Sequence, residues 1–117
     1  MLLHQKIDGL HEKMVTPDQE SLEIGHCTQL TTLHLYNNIL THLPVEIGQL
    51  KHLTTLDLNY NQLTHFPVEI RHLTQLTILN LSFNKLTHLP IEIGQLTQLT
   101  ELSLSNNLLT HSIWFAI

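Results

Sequence analysis

Apolar positions recur along this chain at a fixed interval. From Leu30 the sequence reads "LTTLHLYNNILTHLPVEIGQLKH", from Leu53 "LTTLDLNYNQLTHFPVEIRHLTQ", from Leu76 "LTILNLSFNKLTHLPIEIGQLTQ" and from Leu99 "LTELSLSNNLLTHSIWFAI". Three rows are complete at 23 residues, and the fourth stops partway. Leucine holds the first, fourth, sixth and eleventh places and asparagine the ninth; the complete rows add an apolar residue before proline, then isoleucine and leucine. Within "LTTLDLNYN", Leu56 and Leu58 alternate with Thr55, Asp57 and Asn59. A period of two predicts a strand with one apolar and one polar face. One row cannot enclose its own leucines, so rows must stack, giving a parallel sheet over one continuous core whose stability is a nearest-neighbour property.

A period of this length with this leucine spacing, and "LPVEIGQL" as the second half of a row, resembles the bacterial type of leucine-rich repeat. The chain is similar to the small leucine-rich-repeat effectors that intracellular bacterial pathogens deliver into host cells. The repeat resemblance runs from Ser21 to about Thr110. It implies an α/β solenoid with a curved parallel sheet on the concave face and short helical or 3-10 segments on the convex face. It also implies that Asn38, Asn61, Asn84 and Asn107 turn their amides inward as a structural ladder, in keeping with the rule that a buried polar side chain is paired.

The ends depart from the row pattern. Leu3, Ile7, Leu10 and Met14 fall at helical spacing, which predicts an N-terminal helical cap over residues 1–20 that lays an apolar stripe on the first row. Thr16-Pro17-Asp18-Gln19 reads as a helix start, with threonine as N-cap and glutamine placed for a capping box. "SLEIGHCTQ" (21–29) matches a degenerate half repeat, with Ser21 in the proline place and Cys27 in a leucine place. The solenoid is expected over 21–117, with repeats from 30, 53 and 76 and an incomplete one from 99. Ile113, Trp114, Phe115 and Ile117 are too apolar to be left in water. Capping of the last row by its own chain is one expectation for them; self-association through this apolar end, or a further segment, is the other.

Composition narrows the class of partner. Ten acidic against five basic residues, and only 13% charged, leave no electrostatic footprint for nucleic acid or an anionic membrane. The expected partner is a protein. No apolar run approaches the ~18 residues of a membrane span, and "MLLHQKIDGLHEK" carries charge where a signal peptide needs an apolar core. A soluble protein is expected, in the bacterial cytoplasm or delivered to the host cytosol. Cys27, the lone cysteine, forbids an intrachain disulfide and suits a reducing compartment; its framework place suggests an inert thiol.

No catalytic constellation stands apart from the scaffold. There is no glycine-rich phosphate loop, nucleophile elbow or cysteine paired with histidine, so no enzyme activity and no cofactor is expected. Glu23, Glu46, Glu69 and Glu92 recur beside the convex segments, where negative charge near a short helix start is favourable. His42, His65, His88 and His111 recur as well. Imidazole binds metals and titrates near neutrality, but zinc needs about four ligands converging at ~2.0–2.3 Å, whereas stacked rows offer a line. Two protonated imidazoles ~5 Å apart repel by only about 0.8 kcal/mol in water. The column reads as surface copied with the framework, with no metal; a pH- or metal-responsive structural role is the alternative.

Places where the rows disagree are the better guide to specificity. The third places run Thr32, Thr55, Ile78, Glu101; the fifth His34, Asp57, Asn80, Ser103; the seventh Tyr36, Asn59, Ser82, Ser105; the eighth Asn37, Tyr60, Phe83, Asn106. These side chains are expected on the concave sheet, the surface that solenoids present to partners. Tyr36, Tyr60 and Phe83 form an aromatic diagonal there, flanked by Ile78, Asp57 and Asn80, and aromatics carry much of the affinity of protein interfaces. Framework packing at the turn after the strand is the competing role for these rings.

Overall fold

The computed structural model describes residues 28–110. The expected helical cap, most of the half repeat including Cys27 and Glu23, and His111 with the apolar C-terminal end lie outside the described residues.

Each row supplies one three-residue strand: β1 (Thr32–His34), β2 (Thr55–Asp57), β3 (Ile78–Asn80) and β4 (Glu101–Ser103). They form one parallel sheet in chain order, with each residue level with its counterpart in the next row: Leu33 faces Leu56, Leu56 faces Leu79, and Leu79 faces Leu102. The stagger-free register follows from the constant row length, because any slip would turn the leucines to the wrong face.

The second-place threonines fasten row to row. Thr54, Thr77 and Thr100 each donate both the backbone N–H and the hydroxyl to the carbonyl of the threonine one row back, with hydroxyl distances of 3.0, 3.0 and 3.2 Å.

The convex side carries 3-10 helices at Val45–Gln49, Val68–His72 and Ile91–Gln95, and no α-helix occurs among the described residues. Proline starts each one: Pro44, Pro67 and Pro90 hold φ between −71° and −65° with an extended ψ, pre-setting the entry without a side-chain cap. Five residues allow little more than one turn, and the i to i+3 pattern closes it, as Ile47 N–H on Pro44 O at 3.1 Å and Leu50 N–H on Ile47 O at 3.2 Å. Ile47, Ile70 and Ile93 point inward from these turns.

Between sheet and convex wall lies the core. Leu33, Leu56 and Leu79 are fully buried, as are Leu35, Leu58 and Leu81. In the fourth row Leu99, Leu102, Leu104 and Leu109 are only partly buried, since no described row covers them. Row spacing is tight on the convex side at Gly48, where an added Cβ would sit 3.0 Å from Glu69 O and 3.1 Å from Glu69 Cβ.

The asparagine places stitch the turn after each strand. Asn61 accepts from Leu40 N–H at 3.0 Å through Oδ1, while its Nδ2 donates to Leu35 O at 2.9 Å and Leu58 O at 3.0 Å. Asn84 repeats this with Leu63, Leu58 and Leu81, and Asn107 with Leu86, Leu81 and Leu104. Asn38 donates to Leu35 O at 2.8 Å. The amides of Asn61, Asn84 and Asn107 thus each bridge their own row and the one before.

Candidate protein-binding face

Alternation decides which side chains reach the concave face. With the fourth and sixth places locked in the core, the third, fifth and seventh must project the other way. His34, Tyr36, Glu101 and Ser105 are exposed there, and Thr32, Thr55, Asp57, Asn59, Ile78, Asn80 and Ser103 are half-buried. Ser82, expected to contribute to a contact surface, is buried at 7%; its hydroxyl accepts from Ser105 Oγ at 3.0 Å, a short side chain sunk between its neighbours. The middle of the face is organised by Asp57: Oδ1 accepts from Asn59 N–H at 3.1 Å, and Oδ2 lies 3.7 Å from His34 Nδ1. Asn59 Oδ1 is buried and accepts no hydrogen bond.

The eighth place has a property that alternation does not predict. Asn37, Tyr60, Phe83 and Asn106 all adopt positive φ, between 59° and 62°. A left-handed residue three places beyond the strand turns the chain there, just before the inward asparagine. Asparagine tolerates this region, whereas a bulky aromatic is an outlier there, strained by about 1–2 kcal/mol. The outer rows carry asparagine and the two middle rows carry rings.

The rings are half-exposed. Tyr60 is 50% and Phe83 40% exposed, and they stack with centroids 4.3 Å apart and planes 7° from parallel. Tyr36, expected to extend the same diagonal, instead meets His34 edge-on at 5.9 Å and 72°. The aromatic strip therefore divides into a stacked shelf on the middle rows and a His34–Tyr36 pair at the first. Asn in the eighth place of the rows from Leu30 and Leu99 was the available sign of a left-handed position. The threonine ladder was equally legible from Thr31, Thr54, Thr77 and Thr100.

The histidine column lies elsewhere on the surface. His42, His65 and His88 are exposed, and each ring's Nδ1 pairs with the preceding threonine hydroxyl, at 3.2, 3.2 and 3.1 Å. His42 and His65 stack at 6.5 Å. Among the described residues, no group of three His, Cys, Asp or Glu side chains is placed to share a metal ion.

Family comparison settles the class. A model of the leucine-rich repeat region matches residues 10–113. The chain belongs to the leucine-rich-repeat family. Among solved structures, a leucine-rich-repeat protein of Leptospira interrogans is 53% identical with a TM-score of 0.73, over 74% of this chain and 22% of that one. The ectodomain of the Arabidopsis thaliana receptor kinase GASSHO1/SCHENGEN3, solved in complex with CASPARIAN STRIP INTEGRITY FACTOR 2, is 38% identical with a TM-score of 0.68, over 74% of this chain and 11% of that one. The Arabidopsis SOBIR1 ectodomain is 35% identical with a TM-score of 0.68, over 80% of this chain and 55% of that one. No match was found among curated proteins. This repeat segment spans only a fraction of each similar structure. Leucine-rich-repeat domains generally mediate protein–protein interaction. No helix among the described residues is long and apolar enough to cross a membrane.

Proposed function

We propose that this chain acts by binding one protein partner on its concave sheet face, and that binding is itself the activity. The observation that carries the reading is the Tyr60–Phe83 shelf: two exposed rings kept in a left-handed backbone region where the neighbouring rows use asparagine. A bulky aromatic at positive φ strains its own backbone, and strain of this kind concentrates where a protein binds. Occlusion of the partner's active site or docking surface is the simplest mechanism for a rigid, curved sheet. In keeping with the repeat's resemblance to small bacterial effectors, we assign the partner to a host protein or another bacterial effector, met in a reducing cytosol. The high identity to a Leptospira repeat protein is compatible with a bacterial setting.

The test is affinity capture from bacterial and host-cell lysates with the full chain, followed by calorimetry with the purified partner. Tyr60→Asn, Phe83→Asn and Tyr36→Ser should each weaken the complex, by ~2 kcal/mol where the ring is a hot spot. A partner that binds all three variants as tightly as the parent chain would remove this face from consideration.

A further inference from the structure

The formal charges of the sheet face are one-sided. Asp57 spends one oxygen on Asn59 N–H, and its other oxygen stands 3.7 Å from His34 Nδ1, beyond hydrogen-bond length. Glu101 adds an exposed carboxylate on β4. Against these acceptors the strands offer no cation: the lysines and arginine among the described residues, Lys51, Arg71 and Lys85, all lie outside them. A face whose formal charges are carboxylates favours a cationic ligand that can donate to them.

The aromatic shelf narrows the choice. Tyr60 and Phe83 expose ring surface beside the turn from which Asn59 reaches Asp57. A cation over a ring face within ~6 Å is attracted by its quadrupole. Guanidinium fits better than ammonium, because it is planar, stacks on aromatic faces and presents a fork of donors to a carboxylate.

We propose that the partner presents an arginine whose guanidinium lies on the Tyr60–Phe83 shelf and donates to the Asp57 carboxylate. This rests on the reading of the sheet face as the binding surface. It names the chemistry of the partner: a basic protein surface with an exposed arginine at the centre of the contact.

The probe is the peptide Gly-Arg-Gly-Arg-Gly, titrated into the isotope-labelled full chain and followed by amide chemical shifts, with its lysine and citrulline counterparts alongside. The arginine peptide should give saturable shifts centred on Asn59, Tyr60 and Phe83. Citrulline, which keeps shape and loses charge, should bind about tenfold more weakly, with lysine between. D57N can still accept from Asn59 N–H, so it tests the carboxylate without unfolding the turn; it and Y60N should each weaken binding about fivefold or more, while E92Q on the convex side should change it less than about twofold. Equal binding of the citrulline peptide, shifts centred on Glu46, Glu69 and Glu92, or no saturable binding would each overturn the proposal. A captured partner that is weakened by Y60N yet indifferent to alanine at its own interface arginines overturns this inference and leaves the broader reading standing.

Discussion

Replacing Tyr60 or Phe83 by alanine and, separately, by asparagine isolates the backbone strain from everything else the ring does. Both substitutions remove the ring and its stack. Roughly half of each residue is covered, at 50% and 40% exposed, and a fully buried aromatic hides roughly 150–250 Å². The covered part is then about 100 Å², or ~2.5 kcal/mol at ~25 cal/mol per Å². The two rings stack, so a double-mutant cycle should return a coupling of about 0.5–1.5 kcal/mol. Alanine loses this burial and leaves a Cβ-bearing residue at φ near 60° with no local compensation. Asparagine loses the same burial but suits the left-handed region, as Asn37 and Asn106 do in the outer rows.

The expected order is therefore parent, then asparagine, then alanine. Asparagine should be destabilising by ~1–2 kcal/mol and alanine by ~2–3 kcal/mol, a gap of about 1 kcal/mol at each position. Urea unfolding of the full chain, read at constant m-value, measures it. Alanine equal to or above asparagine at both positions would show that the eighth place carries no strain, and the argument from strain to binding would fall with it.

Other consequences follow from the ladders and the core. Asn61→Leu should destabilise by about 1–3 kcal/mol in urea unfolding: Leu35 O and Leu58 O each keep a second asparagine amide, from Asn38 and Asn84, so Leu40 N–H is the group left buried without a partner. Gly48→Ala must push a Cβ to 3.0 Å from Glu69 O and should lose about 1–3 kcal/mol, whereas Gly94→Ala, at an exposed place without positive φ, should gain about 0.4–1 kcal/mol in the same assay. Leu56→Ala in the second row should lower stability by about 2–5 kcal/mol, and Leu102→Ala, in the half-covered fourth row, by clearly less; thermal melts of the pair would show the difference.

The row length, strand positions and apolar core were legible because each is dictated by a leucine that recurs in register. Burial of Leu33, Leu56 and Leu79 follows from alternation alone. Two features were not legible for a physical reason. Period two fixes which face a side chain takes but says nothing of the residue that ends the strand, so the left-handed eighth place and the stacking of Tyr60 on Phe83 escape it. Ser82 takes the concave side as alternation requires and still offers no surface, because exposure depends on the lengths of its neighbours.

Recurrence itself turns out to have two causes, and the hydrogen bonds separate them. Asparagines and second-place threonines recur because each bridges to the row before, so a change in one row strands a backbone group in another. The histidines recur as regularly, yet among the described residues the hydrogen bonds of His42, His65 and His88 go to a threonine of their own row. Nothing in the neighbouring row depends on them through a hydrogen bond, which is how a place copied with the framework should look. The eighth place is the reverse case: backbone geometry is the same in every row and favours asparagine throughout, yet two adjacent rows abandon it for rings that stack in solvent. Their stack offsets the backbone cost within the fold, and the ring surface that stays exposed, half of Tyr60 and two-fifths of Phe83, is what a partner could use.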